Sequence, residues 1–286
     1  MSIRVVASAE NNAYTAWQSK LFAYSCVSRL GLTPLIVVHT EHPETDPACE
    51  DFFELASHGV PVSMAPQYKN DHPTGILYHP RNTPGSLLLA ADICEADYLM
   101  LCDTDLVFVK PFDLPRPNPV SAAWYWPNVQ YKTESVQEAA RAMGVDLDPE
   151  RQDLRCGVPY LVERTVAKEL AECWLEAIDL MDPLGSNQMY AWGIACVKLG
   201  ITIGLGDVIE FNEIPKPLKP GAAIIHYGFR SDGWTKRDYC RPKEIRNVWT
   251  PKGDVARDTV TGEIHAQLRE AGEFYAAARE IKALLA

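Results

Sequence analysis

The stretch Tyr98–Phe112 reads Y-L-M-L-C-D-T-D-L-V-F-V-K-P-F. An apolar run, Tyr98 to Cys102, delivers two aspartates one residue apart, Asp103 and Asp105, and a second apolar run, Leu106 to Val109, follows at once. A strand buried on both faces gains by being apolar throughout. Carboxylates at its end do not help it fold, because burying an unpaired charge is costly. A divalent metal held by few carboxylates and shared with a phosphate-bearing ligand would answer that charge. On its own the pattern is short, and it equally fits a strand end whose aspartates face solvent or cap the next turn.

Upstream of this stretch, β-branched and helical periodicities alternate. Ile3–Ala9, Pro34–Thr40 and Val60–Ala65 read as strands. Between them, Tyr14–Arg29 carries Trp17, Leu21, Tyr24 and Val27 at helical spacing and closes on Gly31, and Asp51–Ala56 reads as a short helix. The long polar connection Pro66–Pro84 precedes a helix over Gly85–Ala96. So long an irregular segment is usually functional or mobile. This alternation predicts an α/β fold with a mostly parallel central sheet and helices on both faces. Ligands of such sheets bind beyond the carboxyl ends of the strands.

Downstream, the spacing predicts strands at Val120–Trp126, Gly157–Val162, Ile201–Leu205 and Ala222–Tyr227. Helices are predicted at Glu134–Met143, Arg164–Met181, Met189–Leu199 and Gly262–Leu285, with a polar, basic loop or flap at 228–254. No internal repeat or Gly/Ser-rich linker interrupts the chain, which reads as one domain with an elaborated second half.

The 286 residues are 47% hydrophobic and 23% charged, a soluble globular balance, with net charge −11. That charge argues against a protein that coats a nucleic-acid backbone. The N-terminus reads as a first strand and not a signal peptide, and no apolar run reaches the length of a membrane span. Eight scattered cysteines without a C-x-x-C pair read as buried thiols of a reducing compartment. A cytoplasmic enzyme or binding protein is expected.

His226, in A-A-I-I-H-Y-G, also follows an apolar strand and precedes a Gly turn. The other six histidines are read as lying in loops or helices. Asp103, Asp105 and His226 together with phosphate oxygens suit Mn²⁺, with Mg²⁺ as the other option. No G-x-G-x-x-G or P-loop motif occurs. Cationic candidates for a diphosphate are Lys20, Arg81 and the cluster Arg230, Lys236, Arg237 and Arg241 directly after His226.

Taken together the chain resembles glycosyltransferases of the GT-A fold. Trp17-Gln18, Asn82-x-Pro84, Gly157-Val158-Pro159-Tyr160, Met189-Tyr190-Ala191 and Ile224-Ile225-His226-Tyr227 are similar, in that order, to segments of hydroxyproline O-arabinosyltransferases and of peptidyl serine α-galactosyltransferases. The likeness runs from about Val5 to Tyr239. It implies a UDP-linked sugar, arabinose or hexose, bound through Mn²⁺ at Asp103, Asp105 and His226 and moved to an acceptor hydroxyl on a peptide, nucleic-acid base or small molecule. Residues 1–112 would then be the nucleotide-sugar half, 113–254 the acceptor half and flap, and 255–286 a closing helix. Ala7, Ser8, Gln18, Lys20, Asn82, Asp103, Thr104, Arg230 and Lys236 are expected at the donor, and Trp124, Trp126 and Tyr160 at the acceptor.

The plant enzymes carry an acidic residue where this chain has Gln188. A carboxylate there could act as general base of an inverting transfer, and an amide cannot. Its carbonyl would instead stabilise an oxocarbenium-like centre or bind a sugar hydroxyl. Asp153, Glu163 and Asp232 are the other candidate bases. Two further classes fit less well: a nucleotidyltransferase, which would normally show a Gly- and Lys-rich loop after strand one where this chain has A-S-A-E-N-N-A, and a non-catalytic sugar-nucleotide-binding protein.

Overall fold

The computed structural model describes residues 2–113, 120–123, 131–148, 154, 157–185, 187–206, 209–211, 217–228, 234–253 and 255–285. Trp124, Trp126, Asp153, Arg230 and Asp232 lie outside the described residues.

The chain opens with β1 (Ile3–Glu10), α1 (Ala13–Ser25, continued by a π-helical turn to Leu30), β2 (Leu35–Thr40), α2 (Glu50–Ser57) and β3 (Val62–Pro66). A 3₁₀ turn at His79–Arg81 leads into α3 (Asn82–Ile93), then β4 (Tyr98–Asp103) and β5 (Leu106–Phe108). The second half holds β6 (Val120–Ala123), α4 (Glu134–Ala142), β7 (Tyr160–Glu163), α5 (Arg164–Asp179) and α6 (Asn187–Lys198). It ends with β8 (Ile203–Gly206), β9 (Ile209–Phe211), β10 (Ile224–His226), α7 (Pro242–Ile245) and α8 (Val260–Leu285).

Seven strands form one sheet in the order β3-β2-β1-β4-β7-β6-β8, in which only β7 opposes its neighbours. The chain steps from β1 to β2 in one direction and from β3 to β4 in the other. Right-handed crossovers therefore put α1 and α3 on opposite faces. Helices α2 and α8 pack beside α1, and α5 packs on α3 with α6 beside it. The switch point lies between β1 and β4, where Ser8 pairs with Asp103. This is where a ligand crevice opens in such a sheet. Helix α1 is set there by its cap: the Asn12 side chain accepts from the Thr15 backbone N–H at 2.9 Å.

Three elements differ from the sequence reading. In place of a loop throughout 228–254, the described residues include a 3₁₀ turn at Lys236–Tyr239 and a short helix at Pro242–Ile245. The Thr235 side chain caps the first, and Pro242 starts the second where its missing N–H costs nothing. Strand β9 is absent from the sequence reading, because three residues are too few to show a period. His39 lies on β2, not in a loop or helix, as a satisfied core histidine: its ring nitrogens reach Pro66 O and Ser86 Oγ, both at 2.7 Å. Burial pushes it down to about 4. Of the cysteines, Cys26, Cys102 and Cys196 are buried, but Cys240 is exposed.

Candidate active site and metal centre

A second, three-stranded sheet, ordered β5-β10-β9, builds the centre. Strand β10 runs antiparallel to β5, so His226 pairs with Leu106, one residue past Asp105. The turn between β4 and β5 is clamped from β10: Tyr227 donates its backbone N–H to Asp105 O at 3.0 Å and its hydroxyl to Thr104 O at 3.1 Å. Two strand ends distant in sequence are thereby held with Asp103, Asp105 and His226 facing one another.

One ligand atom from each of these three residues lies within 4.8 Å of the others. The His226 Nε2 to Asp105 Oδ2 separation is 3.2 Å. Gly228 roofs the cluster: a Cβ there would sit 3.2 Å from His226 Nε2 and 3.5 Å from Asp105 Oδ2. Two carboxylates, one imidazole and a roof without a side chain fit a divalent ion such as Mn²⁺. Gly228→Ala puts a methyl against both donor atoms and is expected to weaken Mn²⁺ binding about tenfold, since the site must open to accept the ion. Isothermal titration with Mn²⁺ checks this, and unchanged affinity would show that the glycine serves only the chain's turn.

Electrostatics sharpen the picture. Burial and the like charge of Asp105 push Asp103 up to about 6. Asp105 is held well below the usual carboxylate range: burial opposes its ionisation, but His226 and Lys236 outweigh it. Burial alone would lower His226, yet Asp105 raises it. Lys236 lies directly on Asp105 Oδ2, in contact through its ammonium. A cation of the chain's own thus occupies part of the space that the carboxylates offer.

A cleft of about 440 Å³ opens from this cluster. Of the residues singled out in the sequence, Ser8, Gln18, Asn82, Asp103, Thr104, Asp105, Gln188 and Lys236 line it. Asn82 accepts through Oδ1 from the backbone N–H groups of Tyr68 and Lys69 at 2.9 and 3.2 Å, which fixes the start of α3 at the cleft edge. Gln188 sits in the first turn of α6, at the far side.

Other expected residues are elsewhere. Ala7 is buried within β1, one residue short of the cleft. Lys20 is 1% exposed and points away, toward α2 and α8. Its ammonium pairs with Asp51 at 3.0 Å and with Glu54, and lies over the Tyr275 ring at 4.7 Å. Helix α1 is buried nearly all round, so its periodicity does not say which face meets the cleft. Arg81 is buried in a two-pronged pair with Asp179, both contacts 2.8 Å. Tyr160 is a core residue packed on Trp174 and Trp192. Glu163 pairs with Tyr98, at the opposite end of β4 from Asp103, because β7 is reversed. That distance removes it as a base.

The sequence reading missed Glu10, Asn12, Tyr14, Thr15, His79, Pro80 and Thr83 in the cleft wall. Glu10 ends β1 and is bridged by His79 and by Lys69, the latter at 3.2 Å. The signal for Asn12 was present: an Asn just before a helical run is an N-cap, and an N-cap after the first strand of such a sheet stands at the crevice.

No family model matches this chain, and no curated protein matches it. Solved structures do. The galactosyltransferase LgtC in complex with donor and acceptor sugar analogs superposes with a TM-score of 0.54, at 14% identity, over 94% of this chain and 95% of that one. An active-site glutamine-to-glutamate mutant of LgtC superposes with a TM-score of 0.52, at 14% identity, over 85% of this chain and 93% of that one. The mostly parallel sheet flanked by helices is therefore, in its architecture, a glycosyltransferase fold.

Proposed function

We propose that the protein is a metal-dependent glycosyltransferase that takes a sugar, arabinose or hexose, from a UDP-linked donor and transfers it to an acceptor hydroxyl. The observation that carries this reading is the Asp103–Asp105–His226 cluster at the floor of a cleft placed at the sheet's switch point. In this reading residues 1–286 form one domain: 1–112 hold the donor, 113–254 receive the acceptor, and 255–286 close the chain. An acceptor on a peptide, a nucleic-acid base or a small molecule is compatible with the cleft, and the segments similar to peptide-modifying transferases favour a peptide hydroxyl.

A divalent ion held by Asp103, Asp105 and His226, when bound, supplies Lewis-acid stabilisation of the leaving diphosphate. The chain's own residues do the rest. Ser8, Asn12 and Gln18 at the end of β1 and the start of α1 line the wall where the nucleoside fits. Lys236 leaves Asp105 and places its ammonium on the departing diphosphate, a charge developed only as the bond breaks. Arg230, also after His226, is assigned the same task. Gln188 faces the sugar with a neutral amide, whose carbonyl dipole favours a cationic sugar centre and a retained configuration. The solved active-site glutamine mutant of LgtC supports a role for a glutamine in a cleft of this fold. Asp232, close to Lys236 in sequence, is the candidate proton acceptor.

Lys236 gives a test with opposite signs. Lys236→Met removes the internal cation that competes for Asp105, so Mn²⁺ binds about tenfold tighter. The same change removes a diphosphate contact, so UDP binding in the presence of Mn²⁺ weakens by a similar factor. Calorimetric titration with Mn²⁺ and then with UDP reads both, and parallel changes would sink the dual role. For the reading as a whole, the assay is release of UDP from UDP-sugars with and without Mn²⁺. Neither turnover nor metal-dependent UDP binding would leave only the fold.

A further inference from the structure

Tyr78 is a residue that neither the metal cluster nor the donor wall explains. It comes from the long connection between β3 and α3, immediately before His79 and Pro80 of the cleft wall. It is only 5% exposed. Its ring meets His72 edge-on at 6.0 Å, and His72 itself is tied to Met181 O at 3.2 Å and to Thr74 Oγ1 at 2.8 Å. Burial pushes the phenol up to about 12, so it is a neutral hydroxyl at any working pH.

Among the described residues, the polar contacts of that hydroxyl go to the turn that starts α6. The Gln188 backbone N–H donates to Tyr78 Oη at 3.1 Å. The Tyr78 O–H has two acceptors in reach, Gln188 Oε1 at 3.4 Å and Gly185 O at 3.3 Å. From the other side, Trp174 donates its indole N–H to Gln188 O at 2.6 Å. The first N–H groups of a helix lack partners within it. Here one of them is answered by a side chain from the other half of the chain. Gln188 is consequently held at its backbone N–H and its carbonyl, its side-chain oxygen lies within reach of the same phenol, and the residue lines the cleft.

We propose that Tyr78 is a positioning residue that fixes which face the Gln188 amide turns to the sugar. Its single proton orients the amide by going to Gln188 Oε1. The amide nitrogen is then turned away from the phenol, and the second lone-pair direction of Oε1 is set toward the cleft. Without that proton the amide is free to rotate by half a turn, which would exchange a donor for an acceptor against the sugar. The inference rests on the glycosyltransferase reading for its kinetic consequence, but not for its structural one.

Tyr78→Phe removes only the hydroxyl and keeps the ring against His72. The first measurement needs no activity: side-chain amide resonances of ¹⁵N-glutamine-labelled protein, with the Gln188 pair identified by its loss in Gln188→Ala. A single ordered Gln188 pair in the parent and a broadened or averaged one in Tyr78→Phe is the expected result. An unchanged, ordered pair in the variant overturns the proposal, whatever the enzyme does. The second measurement is steady-state turnover of donor. Tyr78→Phe is expected to lower kcat about tenfold with donor KM within about twofold, and to cause no further loss in a Gln188→Ala background, since residues acting as a unit are not additive. Multiplying losses in the double variant would make Tyr78 merely structural. If the parent shows no turnover on any UDP-sugar, the transferase reading fails while the resonance experiment still decides the role of Tyr78.

Discussion

Replacing Asp105 with asparagine is expected to abolish metal-dependent release of UDP and, in the same protein, to lower stability without metal. The two effects have one source. Asp105 is 8% exposed and has two cationic partners, His226 Nε2 at 3.2 Å and the Lys236 ammonium in contact, with the like charge of Asp103 across the cluster. In the proposed metal site an amide is a poor substitute, because its oxygen carries no net charge to offset the ion. Turnover should fall about 10³-fold or more, the several kcal/mol that a bound ion supplies to a departing diphosphate. As a counter-ion it balances Lys236, whose side chain is 16% exposed. Breaking a sealed ion pair costs about 3–5 kcal/mol, and the remaining exposure of Lys236 reduces this to about 1–3 kcal/mol. Urea unfolding in the presence of a chelator reads the second effect, and UDP release with added Mn²⁺ the first. Full stability with lost turnover would mean that Lys236 does not depend on Asp105. Unchanged turnover would end the metal assignment.

The second large effect has the opposite sign in stability. Asp103→Asn should also abolish turnover, yet it should stabilise the metal-free protein. Burial and the charge of Asp105 raise the Asp103 carboxyl to about 6. A carboxyl raised in the folded state favours folding while it is protonated. Its contribution is lost as pH rises from the ordinary carboxylate range, near 4, through that value. At a pH of about 7.5 the ionised Asp103 is therefore a burden on the metal-free fold, and asparagine relieves it by on the order of 1–3 kcal/mol. Melting temperatures in chelator should coincide near pH 4 and separate, variant above parent, as pH passes about 6. Saturating Mn²⁺ should reverse the order, because only the parent gains from binding. A variant that is less stable at every pH would show that Asp103 is paired by something other than its cluster.

A residue's role is legible in the sequence only as far as its neighbours along the chain reveal its surroundings. Asp103, Asp105 and His226 were legible because each sits at the end of an apolar run, and strand ends in an α/β sheet mark the ligand side. Ser8 followed from the same rule, whereas Asn82, at the start of α3, was singled out only through the resemblance of Asn82-x-Pro84 to a family segment. Lys20 did not: a helix buried on nearly every side offers no polar face to count from, so a charge on it can be read into the cleft or out of it. Tyr160 failed for a related reason, since an aromatic on a central strand looks alike whether it floors a site or fills a core. Glu163 was misplaced because the reversal of β7 cannot be read from its own four residues. Glu10, His79 and Tyr78 were invisible, as they act through contacts 59 to 110 residues away along the chain.

The pairing of β10 with β5 has a consequence for how the molecule comes into being. Tyr227 reaches Thr104 from 123 residues farther along the chain. During synthesis the two aspartates emerge long before the strand that brings their histidine. Contacts so distant form late, because the entropy of closing the intervening loop must be met first. A nascent or C-terminally shortened chain can thus carry the D-x-D turn without its clamp or His226. In the proposed reading, full affinity for a divalent ion is then a property of the completed chain, and such binding would report that β10 has found its place.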